Sequence, residues 1–201
     1  MPTVDESPRG RKRLALVGHC ILNQNARAPG IAVHRGVIAP LLQMLQGAGY
    51  ELLQLPCPET AFTGVSRWWF VYEQYDSVNY RRHCAKIARA VSKLVKPYSE
   101  EGYDIVLLGL GMSPSCGVRM RQTNKQWRGR PFDVGDVASV EAGSGVWIQE
   151  LERTLKREGI GYRILDVPPV LIYPPDRVPA SAIYPQSEEA AWVELKRFLE
   201  A

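Results

Sequence analysis

Short apolar runs alternate along this chain with longer stretches in which apolar residues recur every three or four positions. The short runs are residues 13–17 (Arg-Leu-Ala-Leu-Val), 50–55 (Tyr-Glu-Leu-Leu-Gln-Leu), 104–110 (Asp-Ile-Val-Leu-Leu-Gly-Leu) and 162–167 (Tyr-Arg-Ile-Leu-Asp-Val). Their length and branched, aliphatic character predict buried strands. Helical spacing covers 34–47, where Val37, Ile38, Leu41, Leu42 and Leu45 share a face and Gly47 and Gly49 stop the run. Pro40 puts the regular start of that helix near itself. A long helix is predicted over 77–101: Cys84, Ile87, Ala88, Val91 and Leu94 form one face, Arg and Lys the other, and Pro97 kinks or ends it. Further helices are predicted over 144–158 and 187–199, the second with Glu188 and Glu189 in its first turn, as the helix dipole prefers. Residues 133–145 read as a loop, 170–173 as a short edge segment, and 174–185 as proline-rich irregular chain.

Strands alternating with helices are the pattern of βαβ units. The expected architecture is α/β, a three-layer sandwich with a mostly parallel sheet of four to five strands. It is flavodoxin- or Rossmann-like, with strand order 2-1-3-4. The 201 residues, 45% hydrophobic and 23% charged, suffice for one core. Residues 1–12 read as a disordered leader and 13–201 as a single domain. The formal charge of +4 permits an anionic partner without demanding one. No apolar run reaches membrane-spanning length. The basic Arg11-Lys12-Arg13 before an apolar stretch imitates a signal peptide. That stretch is short, is interrupted by Gly18, His19 and Asn23, and has no small-residue cleavage site. The expected location is the cytoplasm, where thiols stay reduced.

Three of the four cysteines follow the predicted strands directly. Cys20 lies in Gly18-His19-Cys20, Cys57 in Pro56-Cys57-Pro58-Glu59, and Cys116 in Ser113-Pro114-Ser115-Cys116-Gly117. In a parallel sheet the loops after the strands converge on one edge. Three thiolates meeting there can bind a soft metal or an iron–sulfur cluster and leave one coordination position open. Cys84 falls instead at the apolar spacing of Ile87 and Val91 and reads as core. No Cys-x-x-Cys pair is present, and His19 is the one imidazole beside these cysteines in sequence. A three-cysteine catalytic zinc therefore stays open beside the cluster. His34 and His83 fall in predicted helices and read as surface or cap residues.

These motifs resemble the thiouracil desulfurase family, formerly a domain of unknown function. That family carries Cys-Leu-Leu-Gly, then Cys-Pro-Glu, then Ser-Pro-Ser-Cys-Gly. This chain has Cys20-Ile21-Leu22-Asn23, Cys57-Pro58-Glu59 and Ser113-Pro114-Ser115-Cys116-Gly117 in the same order, and the likeness spans about residues 14 to 120. It is a divergent likeness. The family's Arg-Tyr-Asp-Gly stretch is replaced by Ala26-Arg27-Ala28-Pro29-Gly30, and its proline-rich loop by residues 60–70. The resemblance implies a 4Fe-4S cluster on Cys20, Cys57 and Cys116, a small thiolated heterocycle as substrate, and Glu59 and Ser113 facing it.

The residues themselves can carry such chemistry. An open metal position polarises a carbon–sulfur bond while a base activates water, and no electrons are transferred. Glu59 is the candidate for proton transfer, two residues from Cys57. Ser113 and Ser115 are candidates for hydrogen bonds to substrate or cluster. Asn25, with Asn23 and Arg27, is a candidate to hold a substrate carbonyl. Trp68, Trp69, Phe70, Tyr72 and Tyr75 offer flat rings for stacking. Arg119, Arg121, Lys125, Arg128 and Arg130 could attract a nucleotide phosphate or RNA. The expected activity is non-redox desulfuration of a thiolated nucleobase or similar thiocarbonyl heterocycle. The alternatives are a zinc-dependent hydrolase on the same cysteines and a non-catalytic metal- or cluster-binding module.

Overall fold

The computed structural model describes residues 11–127 and 138–201. The chain opens with β1 (Arg13–Gly18), α1 (His19–Leu22), α2 (Ala39–Gly47) and β2 (Tyr50–Leu55). Next come α3 (Pro58–Thr63), α4 (Tyr72–Tyr75), the long α5 (Val78–Glu100) and β3 (Asp104–Leu110). It closes with β4 (Met120–Thr123), β5 (Ser139–Ala142), α6 (Val146–Arg157), β6 (Arg163–Val167) and α7 (Glu188–Glu200). Four strands form a parallel sheet in the order β2-β1-β3-β6, the expected 2-1-3-4 arrangement. Arg13 stands opposite both Tyr50 and Asp104, and Val106 opposite Arg163, so the strands end nearly level at Gly18, Leu55 and Leu110.

Alternation along β1 divides the core in two. Ala15 and Val17 pack with Leu41, Leu45, Leu195 and Leu199, which places α2 and α7 on one face. Leu14 and Leu16 pack with Cys84, Ala88, Leu151 and Leu155, which places α5 and α6 on the other. The three-layer α/β sandwich follows. Cys84 is fully buried in that second core.

The helices begin where polar caps satisfy free N–H groups. Ser77 Oγ accepts from Tyr80 N at 3.3 Å before α5, and Ser187 Oγ from Ala190 N at 3.3 Å before α7. The helix of the 34–47 run starts at Ala39 with Pro40 in its first turn, as the proline predicts, because no N–H is needed there. Three expectations are corrected. Pro97 does not end α5; it lies in the last turn, and Glu101 N still bonds to Pro97 O at 2.9 Å. Residues 170–173 form no strand, because Pro169 begins a 3-10 turn through Leu171. The 133–145 loop contains β5, paired antiparallel with β4 from Met120↔Ala142 to Thr123↔Ser139. Of that stretch, 133–137 lie outside the described residues.

Residues 1–10 of the expected leader also lie outside them. Lys12 already belongs to the fold: its carbonyl accepts from Asp104 N at 2.8 Å. Among the described residues no helix is long and apolar enough to cross a membrane.

Candidate functional site

The three strand ends deliver their cysteines to one edge of the sheet. Cys20 sits in α1 directly after β1, and its carbonyl accepts from Gln24 Nε2 at 2.7 Å. Cys57 caps α3; its sulfur accepts from Thr60 N at 3.3 Å and Thr60 Oγ1 at 3.2 Å. Pro58 takes the first helical position, so Cys57 is held from both sides by chain that cannot rotate freely. Cys116 sits in a tight turn after β3. Ser113 Oγ accepts from Cys116 N at 2.9 Å and from Ser115 N at 3.3 Å, while Cys116 O accepts from Leu110 N at 2.8 Å. Just before this turn Met112, fully buried, adopts φ 63°, a left-handed conformation rare for a side-chain-bearing residue. Behind the turn, the buried Asp166 accepts from Val118 N at 2.8 Å and Arg119 N at 2.9 Å, and from Tyr184 Oη at 2.6 Å.

All three cysteines line one cavity of about 520 Å³, its open mouth included. Glu59, Arg67, Trp69, Gln122 and Tyr173 also face it. The thiols line the wall without gathering round a single point: among the described residues no group of three or more His, Cys, Asp or Glu is arranged to hold one metal ion. Burial pushes the Cys20 thiol up to about 12, opposed by the nearby Arg27. Burial, then Glu59 and the other two cysteines, push Cys116 well above the ordinary thiol range. With nothing bound these two sulfurs hold their protons, and a metal must displace them. The donor set fits a thiolate-ligated centre: three sulfurs on one wall, each carried by the segment after a separate strand.

Glu59 lies in the first turn of α3. Its Oε2 accepts from Arg67 Nε at 2.9 Å and from Tyr75 Oη at 2.8 Å. The carboxylate is therefore a held group and not a loose one. Ser113 is on the cavity wall, its oxygen occupied by two amide N–H groups. Ser115 and Asn25 are not on that wall. Ser115 is fully buried behind it, its hydroxyl bonded to Tyr80 Oη at 2.8 Å. Asn25 is exposed in a 3-10 turn, its own N–H bonded to Asn23 Oδ1 at 3.1 Å. Arg27 does reach the cavity, but Nη1 is bonded to Gln24 Oε1, Ile31 O and Ile172 O, and its guanidinium covers the Tyr173 ring at 4.4 Å.

Of the aromatic run, Trp68, Trp69, Phe70 and Tyr75 line the cavity, and Trp68 is 59% exposed at its mouth. Tyr72 instead lies beneath Arg121, 3.4 Å from its ring centroid. The basic run is partly spent on ion pairs, Arg119 with Glu194 and Arg121 with Glu141, both at 2.9 Å. Arg128 and Arg130 lie outside the described residues. His19 hydrogen-bonds Gln54 at 2.5 Å, and His83 the Pro58 carbonyl at 3.1 Å. Sequence reasoning missed Arg67, Gln122 and Tyr173. Arg67 lies beyond the end of α3 at Thr63, so no helical period ties it to Glu59, and none of the three carries a local signal.

Comparison with known proteins adds a relative. No family model matches the sequence. Over 107 residues the chain is 34% identical to the uncharacterized protein MJ0003 of Methanocaldococcus jannaschii, covering 53% of this chain and 69% of that protein. The chain belongs to the MJ0003 family. Among solved structures, a 4Fe-4S-dependent thiouracil desulfidase, TudS, aligns over 77% of this chain and 91% of its own, with TM-score 0.43 and 20% identity.

Proposed function

We propose that this MJ0003-family protein is a desulfurase that holds a 4Fe-4S cluster on Cys20, Cys57 and Cys116 and replaces the sulfur of a small thiocarbonyl heterocycle with oxygen. The observation that supports this reading best is the shared cavity wall: three thiols from three separate strand ends face one space together with a carboxylate and a hydroxyl. When bound, such a cluster supplies a Lewis-acidic iron with an open position for sulfur.

The remaining work falls to the chain. Glu59, its Oε2 held by Arg67 and Tyr75, takes a proton from the attacking water at Oε1. Ser113 Oγ already accepts two amide hydrogens, so its own proton is free to be donated to substrate or departing sulfur. Trp69 offers a face for a planar ring. The reaction balances as thiocarbonyl plus water giving carbonyl plus hydrogen sulfide, with no external reductant.

Anaerobic iron and acid-labile sulfide analysis is the direct test, paired with hydrogen sulfide release from 2-thiouracil. The protein as purified anaerobically is expected to be brown. Cys57→Ser should lose the visible chromophore while keeping its far-UV circular dichroism, and Cys84→Ser should keep both. A colourless protein that retains zinc would favour a zinc hydrolase on the same cysteines. A bound cluster without sulfide release would favour a binding module.

A further inference from the structure

Among the described residues, the side-chain NH₂ of one amide on the cavity wall donates to no protein group. Gln122 is 4% exposed and sits in β4 opposite Val140, its backbone N–H bonded to Met112 O at 2.9 Å. Its Oε1 accepts from Trp69 Nε1 at 2.7 Å. An indole nitrogen can only donate, so the bond to Trp69 dictates which end of the amide is oxygen. The NH₂ end must therefore point the other way. Among the described residues the sealed-off side-chain nitrogens and oxygens without a partner are Arg13 Nε and Arg119 Nε. The Gln122 Nε2 is not one of them, so it is not sealed off, and the open space that Gln122 lines is this cavity.

The two cavity-lining arginines each hold partners within the protein. Arg67 pairs with Glu59, and the Arg27 Nη1 is surrounded by three carbonyls. Trp69 is fixed as well, by Gln122 at its nitrogen and by the Arg177 guanidinium 5.0 Å from its ring centroid. The cavity thus combines a fixed flat wall with the Gln122 amide as an uncommitted neutral donor besides the Ser113 hydroxyl.

We propose that Gln122 is the specificity-determining residue of this cavity, its Nε2–H₂ donating to a ring carbonyl oxygen of an uncharged planar heterocycle that lies against Trp69. This rests on the desulfurase reading and narrows it: the substrate carries an acceptor as well as the thiocarbonyl. An analogue with an amino group in place of that carbonyl sets donor against donor and leaves buried groups unpaired, a mismatch that discriminates strongly.

The test exchanges donor for acceptor. In Gln122→Glu, Trp69 can still donate to the side chain, but the cavity now meets a carboxylate. Wild type is expected to favour 2-thiouracil over 2-thiocytosine by about tenfold or more in kcat/KM, mostly through KM. Gln122→Glu should reverse that ratio, and Trp69→Phe, which frees the amide to turn, should bring it towards one. A loss of folding alone would lower both substrates equally and leave the ratio unchanged, which overturns the proposal. A second arm needs neither cluster nor turnover: uracil and cytosine binding to the metal-free protein, followed by indole fluorescence. Preference for uracil that reverses in Gln122→Glu supports the assignment even if no sulfide is ever released, while equal affinities, or a preference unchanged by the substitution, sink it.

Discussion

Cys116 is useful to this protein only because a few neighbours hold its turn. Ser113 Oγ caps two of the turn's amides, and removing it leaves Ser115 N and Cys116 N without that acceptor. Ser113→Ala should therefore cost about 1–3 kcal/mol in urea denaturation and lower iron loading at the same time. Gly145 matters through size. A Cβ there would lie 2.3 Å from the carbonyl carbon of Ser115 and 2.8 Å from its Cα, distances no side chain can accept. Gly145→Ala should displace the cysteine turn and reduce cluster content per chain, measured by iron analysis on protein that still folds. The residue types at this turn were legible in sequence, since hydroxyls and glycines beside a cysteine mark a tight, donor-rich loop. Their orientation was not. Ser113 and Ser115 differ by two positions in a turn, and that difference sends one hydroxyl to the cavity wall and the other to Tyr80.

At the scale of elements, the long ones were readable and the short ones were not. The four sheet strands carry enough consecutive apolar residues to declare themselves, and α5 repeats its apolar face over six turns. Its start at Ser77 is a cap with a measurable worth: Ser77→Ala should destabilise the fold by about 1 kcal/mol, seen as a lower denaturation midpoint, with the visible chromophore unchanged. By contrast α3 and α4 span six and four residues, and β4 and β5 four each. Windows that short hold too few apolar positions for a period to show. The β5 residues Ser139, Val140, Glu141 and Ala142 are not apolar enough to look like a strand; pairing with β4 makes them one. Yet these minor elements shape the cavity, since α3 brings Glu59 and β4 brings Gln122.

The molecule as a whole buries many weak acids in neutral form. Burial raises Cys84 to about 12, and raises Tyr75, Tyr80, Tyr173 and Tyr184 above the ordinary phenol range. In the unfolded chain these groups ionise at their ordinary values, so above about pH 9 the unfolded state has lost protons that the native state keeps. Stability therefore holds below that point and falls as pH rises through the window towards the native values. Urea denaturation of the metal-free protein should give a level midpoint from pH 7 to 8.5 and a falling one from pH 9 to 10.5. Cys84→Ala should start lower in stability and decline less steeply. The same division between local and distant causes separates what the chain alone determined from what folding decided. Strand order, layers and the placement of Cys20, Cys57 and Cys116 on one edge follow from runs of apolar residues and from what comes next in the chain, because a parallel sheet puts the segment after every strand on the same side. Which polar atoms face the cavity depends instead on contacts between distant residues. Arg27 meets the Ile172 carbonyl, Glu59 meets Tyr75, and Trp69 orients Gln122. A hydrogen bond between residues far apart in sequence leaves no period in the sequence, and only the packed tertiary structure decides it.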